Sequence, residues 1–401
     1  MAGNLLVGQS GGPTMVINQS LVGIIQEAKK YTAVDKIYGA LNGVVGIMEE
    51  RLINLDSQPD EILELVAKTP SAALGSCRYK PTEEDCYKIF EVCKKYDIRY
   101  FFYIGGNDSA ETAHIVNTIA READYELRVF HVPKTIDNDL KVTDHCPGYG
   151  SAARYVAMSF MGNDLDNRAL PGIKIDIVMG RHAGFLTAAS ALARVREDSG
   201  PHLIYFPERP VSLDKMAADI EKVYSKYGRC LVAVAEGLCG ENGEPIMKAY
   251  AKEVDAHGNI QLSGTGALGD FLVEEIKKRL GKKIRVRTDT LGYNQRCFPG
   301  VYSEVDAREA RMVGEAAVKF ALSGDIDGSV AIKAERKENR YSSDVFLTDL
   351  QSVAKYTKSM PKEFINEEGN DVTEKFIEYV KPLVGNMPKI GFLENKLVEK
   401  K

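Results

Sequence analysis

Again and again along this chain, a short apolar run breaks at glycine or proline and a helical pattern takes over. Leu5-Leu6-Val7 runs into Gly8-Gln9-Ser10-Gly11-Gly12, with helical periodicity from about Val16 to Lys30. Tyr100-Phe101-Phe102-Tyr103-Ile104 runs into Gly105-Gly106-Asn107-Asp108-Ser109, with a helix expected from about Ala110 to Glu122. Arg128 to Val132 stops at Pro133, Lys174 to Met179 at Gly180, His202 to Phe206 at Pro207, and Leu231 to Ala235 at Glu236-Gly237. Strands this uniformly apolar are covered on both faces, so the pattern predicts parallel sheets flanked by helices.

A chain of 401 residues is too long for one core of ordinary size. The expected fold class is α/β, with two stacked Rossmann-like domains, each a mostly parallel sheet covered by helices, and an active site in the cleft between them. The expected division is 1–147 with about 295–343, and 148–294 with about 344–401. The charge-rich end, with Pro361, Pro382 and Pro388, is expected to form helices on the second domain.

Composition removes several classes of function. A net charge of -5 argues against a nucleic-acid-coating surface. No apolar window approaches the roughly 18 residues of a membrane span. The start, Met1-Ala2-Gly3-Asn4, lacks the pattern of a signal peptide, and the scattered cysteines read as free thiols, so a cytoplasmic location is expected.

Glycine at a strand end lets backbone N–H groups approach an anion, which fits both Ser10-Gly11-Gly12 and Gly105-Gly106; either is equally a plain tight turn. Neither is followed by the lysine of a Walker A loop. Gly264-Thr265-Gly266-Ala267-Leu268-Gly269 matches a dinucleotide-binding spacing, but a weak strand precedes it.

Pro133-Lys134-Thr135-Ile136-Asp137-Asn138-Asp139 carries more chemistry than any other segment. Phosphoryl transfer needs a base for the acceptor's proton, a cation site and donors along the phosphates. Asp137, Asp139, Lys134 and Thr135 supply all of these, although a solvated charged turn would look similar.

The segment resembles the catalytic signature of the phosphofructokinase family, in its pyrophosphate-dependent branch. The resemblance continues in order through Leu74-Gly75-Ser76-Cys77-Arg78, Gly105 to Ser109, Gly148-Tyr149-Gly150-Ser151-Ala152, Met179-Gly180-Arg181, Ala235-Glu236-Gly237 and Leu291-Gly292-Tyr293-Asn294-Gln295-Arg296. It implies transfer of phosphate from pyrophosphate to the 1-hydroxyl of fructose 6-phosphate, with Mg2+; the alternative is an ATP-dependent enzyme of the same family.

By that resemblance Asp137 is the general base, and Thr135 and Arg181 assist the transferring group. Gly11, through its N–H, Arg78, Asp108 and Lys134 face pyrophosphate, Lys134 also acting in catalysis by stabilising the leaving phosphate, while Asp139 and Asn107 stand at the magnesium positions. Met179, Gly180, Arg181 and Glu236 surround the sugar, and Tyr293 and Arg296 meet its phosphate. Arg287 is implied to reach that phosphate from a neighbouring subunit, which makes the protein a homodimer or homotetramer. ATP-using members carry glycine where Asp108 and Lys134 stand here. A carboxylate about 4 Å from a phosphate costs roughly 4 kcal/mol at an effective dielectric near 20, so Asp108 is expected to repel ATP. Asn107 replaces an aspartate common in relatives, which weakens it as a direct ligand.

Overall fold

The computed structural model describes residues 2–250, 266–337, 340–354, 356–394 and 397–398. The first sheet begins with β1 (Gly3–Gln9), β2 (Val34–Ala40), β3 (Leu52–Asn54), β4 (Ile98–Gly105) and β5 (Arg128–Pro133). A second sheet holds β6 (Ile173–Val178), β7 (Leu203–Tyr205), β8 (Cys230–Ala235) and β9 (Val286–Thr290). A late hairpin, β10 (Asp327–Lys337) and β11 (Arg340–Thr348), then returns to the first sheet. The orders are β11-β10-β5-β4-β1-β2-β3 in a 7-stranded sheet and β7-β8-β6-β9 in a 4-stranded one.

Pairings are parallel except β2 with β3 and β10 with β11. The α/β class read from the apolar runs is therefore the class observed. Leu5, Leu6 and Val7 are fully buried because helices cover both faces of the first sheet. Helix Ile17–Ala28 and helix Glu304–Ser323 enclose one core there. The second helix starts cleanly because the Ser303 hydroxyl accepts from the Asp306 N–H, with acids in its first turn.

The hairpin changes the expected division. β11 runs straight through the 343/344 boundary, pairing from Ser329 opposite Thr348 to Lys337 opposite Arg340. Lys333, Glu335 and Lys337 occupy the outward positions of β10, so this edge of the sheet carries charge where a buried strand would carry apolar side chains. Beyond it, Val353 and Ala354 pack with Ala110, Leu140 and Cys146, also on the first layer. Only later does the chain join the second: Phe376, Val380 and Leu383 share a core with Tyr149 and Phe185.

The layers meet at the helix Tyr149–Ala169. Asp306 accepts from Gly148 N–H at 2.8 Å through one oxygen and from Ser151 N–H at 2.9 Å through the other. A carboxylate is well placed there, since a helix N-terminus presents unpaired N–H groups and positive potential. Thr135 is bridged to Gly148 at the same point.

Candidate active site

The first sheet changes winding direction between β1 and β4, and the crevice beyond their carboxyl ends is where open α/β sheets hold ligands. The two glycine turns leave from that crevice, and Ser10 N–H donates to the Ile104 carbonyl at 2.9 Å. The turn after β5 is tied in by Lys134 N–H, which donates to the Gly105 carbonyl at 2.9 Å. Beneath it, His131 is buried between Ser329 Oγ and the Gly105 carbonyl, and burial lowers its pKa to about 4, so it serves as a neutral support. A cleft of about 890 Å³ opens above, bounded on its far side by Met179, Arg181, His182 and Glu236 from the second layer.

Lys134 occupies the cleft floor and is 3% exposed. Its Nζ donates to the Gly12 carbonyl at 2.8 Å. Burial, with Arg296 and Arg78 adding positive charge, pushes its ammonium down from 10.5 to about 7. Gly11 has φ +74, and a Cβ there would lie 3.1 Å from Lys134 Nζ, so glycine both permits the turn and leaves room for the ammonium. The expected role of its N–H is corrected, because that group donates to the Cys77 carbonyl at 3.1 Å.

Asp137 and Asp139 both face the cleft. Burial raises the Asp137 pKa against the pull of Arg296, Arg181 and Lys134. Asp139 is raised to about 7, first by burial and then by Asp137 beside it. The Thr135 hydroxyl accepts from Asp137 N–H at 3.1 Å, which tightens the turn. Arg181 Nε lies 3.8 Å from Glu236 Oε1. Gly237 must stay glycine, since a Cβ there would sit 2.0 Å from the Arg181 carbonyl.

The cleft also gathers Arg78, Asn107, Asp108 and Arg296. Asn107 Nδ2 donates to the Tyr356 carbonyl at 2.9 Å, which leaves its oxygen as the end open to a cation. Asp108 does not have the environment the repulsion argument assumed. Its side chain is 54% exposed and lies 3.8 Å from Lys80 Nζ. With solvent and a cation beside it, its effect on a phosphate about 4 Å away falls toward 1 kcal/mol. Asp108 therefore has little power to repel a phosphate by charge alone.

Gly180, Tyr293 and Arg287 do not line the cleft. Gly180 has φ +134 and turns the chain between Met179 and Arg181. Tyr293 lies under Arg296, whose guanidinium is 4.8 Å from the ring centre. Arg287 pairs with Asp166 at 2.7 Å and donates to the Leu170 carbonyl at 3.1 Å. Gly264 and Thr265 of the dinucleotide-like spacing lie outside the described residues.

Several participants had no local signal. Gln295 is fully buried, and its Oε1 accepts from Met179 N–H at 3.2 Å, fixing that end of the cleft. Lys358 N–H donates to the Asp139 carbonyl at 2.6 Å, across a separation no motif spans. Lys80 and His182 also line the cleft, although neither belongs to a motif that signals a role.

Cations and a paired carboxylate converging where two α/β layers meet define a protein built to handle phosphate-bearing anions. The phosphofructokinase family model matches residues 4–321. The chain belongs to the phosphofructokinase family. The pyrophosphate–fructose 6-phosphate 1-phosphotransferase of Rhodospirillum rubrum is 54% identical to it over 401 residues, covering 99% of this chain and 98% of that protein. The sulfofructose kinase of Alkalicoccus urumqiensis is 32% identical, covering 87% of this chain and 88% of that one. The crystal structure of a pyrophosphate-dependent phosphofructokinase from Marinobacter aquaeolei superposes with a TM-score of 0.85 at 34% identity, covering 100% of this chain and 98% of that one. Among the described residues, no helix is long and apolar enough to cross a membrane.

Proposed function

We propose that this chain is a diphosphate–fructose-6-phosphate 1-phosphotransferase, moving a phosphoryl group from pyrophosphate to the 1-hydroxyl of fructose 6-phosphate. The observation that carries the reading is the buried ammonium of Lys134, set against the Gly11-Gly12 turn and beside the Asp137 carboxyl. A compact diphosphate would add negative charge against this lysine, whose charged form burial, Arg296 and Arg78 disfavour. Likeness to a relative at 54% identity supports the same donor.

In this reading Asp137 takes the proton from the sugar 1-hydroxyl as that oxygen attacks the near phosphorus. The bridging P–O bond breaks, and inorganic phosphate leaves with Lys134 against its developing charge. Thr135, Arg78 and Arg181 hold the transferring group, and the planar arginine forks match its oxygens. Met179, Gly180 and Glu236 shape the sugar pocket, and Arg296, backed by Tyr293, meets the 6-phosphate. Arg287 reaches the same phosphate in a neighbouring copy once it leaves Asp166, so the working enzyme is a homo-oligomer. The first layer takes the donor and the second takes the sugar.

Mg2+ fits this site as a substrate-borne ion. Burial holds Asp137 and Asp139 above the usual carboxylate range, and Asp137 raises Asp139 further, so a cation would offset charge that the site disfavours. Among the described residues, no group of three or more acidic, histidine or cysteine side chains could hold a metal alone. Magnesium bound through one or two carboxylates plus phosphate oxygens has this character. Asp139 would hold it, with Asn107 as an oxygen donor, and the ion would offset phosphate charge. Both partners are soluble, in keeping with a cytoplasmic enzyme of glycolysis and gluconeogenesis that needs neither nucleic acid nor membrane.

The test is a coupled assay at fixed fructose 6-phosphate and magnesium, comparing pyrophosphate with ATP. Pyrophosphate is expected to support turnover in both directions, with fructose 1,6-bisphosphate and phosphate regenerating fructose 6-phosphate. Preference for ATP would overturn the donor assignment.

A further inference from the structure

Between the two carboxylates of the acidic turn sits Asn138, which is fully buried and has φ 59. A non-glycine residue in this left-handed region is held there by its surroundings. Here the surroundings are specific. Asn138 Oδ1 accepts from Cys146 N–H at 3.0 Å, and its Nδ2 donates to the Tyr379 hydroxyl at 2.7 Å. That hydroxyl in turn donates to the Asp144 carbonyl at 3.1 Å. Asp137 and Asp139 face the cleft while the residue between them is gripped from behind.

The second grip comes from the segment after the β10–β11 hairpin. Lys358 N–H donates to the Asp139 carbonyl, and its Nζ donates to the Thr143 and Asp144 carbonyls at 3.2 and 2.9 Å. Two residues before it, Tyr356 accepts from Asn107; two residues after, Met360 N–H donates to Glu208 at 3.0 Å. Glu208 also accepts from Gly184 N–H, close to Arg181. One short stretch thus ties the donor-side rim, the acidic turn and the second layer together.

We propose that Tyr379 and Lys358 are positioning residues, and that the segment Tyr356–Met360 is a strap that sets where the Asp137 and Asp139 carboxylates stand. This deepens the phosphoryl-transfer reading and rests on it. Thr357 of the strap lines the cleft, but Lys358 and Tyr379 do not, so substituting these two falls on the reacting geometry. A displacement of the base by about 1 Å costs on the order of 10- to 100-fold in rate while leaving ground-state binding largely intact.

The experiment compares Tyr379→Phe, Lys358→Met and Lys358→Arg with the wild type, using whichever donor the wild type turns over. Tyr379→Phe and Lys358→Met are expected to lose about 10-fold or more in kcat, with KM for both substrates within about 2-fold. Lys358→Arg, which restores donors to the two carbonyls, is expected to recover most of the rate. If kcat per folded molecule stays within 2-fold of wild type in both disrupting variants, the strap has no positioning role. Equal rises in KM with kcat unchanged would overturn it too. The donor the wild type uses decides the functional reading separately, because the strap is read only from variant-to-wild-type ratios.

Discussion

Replacing Lys134 with methionine should make this protein a poorer enzyme and a more stable one. An ammonium about 4 Å from a leaving phosphate is worth roughly 4 kcal/mol at an effective dielectric near 20, or about 10^3-fold in rate. Lys134→Met is therefore expected to lower kcat/KM for pyrophosphate by about 10^2- to 10^3-fold, while KM for fructose 6-phosphate changes little. Stability moves the other way. The lysine titrates at 10.5 when unfolded and at about 7 when folded, so the fold disfavours the charged form. That penalty, on the order of 4–5 kcal/mol, is fully present below pH 7 and fades as pH rises toward 10.5. Methionine removes it but leaves the Gly12 carbonyl without its donor, which costs about 1–3 kcal/mol. The variant should thus be more stable by about 2 kcal/mol at pH 6, with the gain vanishing or reversing near pH 10. Thermal unfolding across this pH range, beside a coupled pyrophosphate assay, reads both quantities. A variant that retains wild-type kcat/KM within 3-fold, or melts earlier at pH 6, would refute the reasoning.

Asp137→Asn keeps shape but cannot take a proton, so kcat should fall about 10^2- to 10^4-fold with KM values within a few-fold, measured by the same coupled assay. Asp108→Asn, which keeps the bulk and removes only the charge, is expected to improve ATP turnover by less than about 10-fold, since this carboxylate is exposed and lies beside Lys80. A switch to ATP as preferred donor in that single variant would show that charge at Asp108 governs selectivity after all.

The fold was legible wherever strands are buried on both faces, because apolar runs such as Tyr100 to Ile104 admit few other readings. It was not legible at β10 and β11. Their alternating charged positions look like solvated chain until antiparallel pairing supplies the missing face. Within the site, residues sharing a turn with their partners, such as Thr135 and Asp137, could be read from spacing. Tyr379 and Lys358 could not, because what joins them to the acidic turn is tertiary packing over more than two hundred residues. The N–H of Gly11 misled for a different reason: a sequence indicates that a glycine N–H can reach an anion, but not that the Cys77 carbonyl already accepts from it.

Asp306 acts as a bolt, with both oxygens fastened to main-chain N–H groups at the start of the helix that carries the second layer. A hinge motion between the two halves would have to pivot near that fastening, and near the strap's ties to the acidic turn and Glu208, or break them. Thr135, bridged to Gly148 beside the bolt, would lie near such an axis. Arg78 on one half and Arg181 on the other line the same cleft, so a narrowing would bring them closer. Such a closure would concentrate positive charge around whatever bridges the gap while moving least the turn that carries the base.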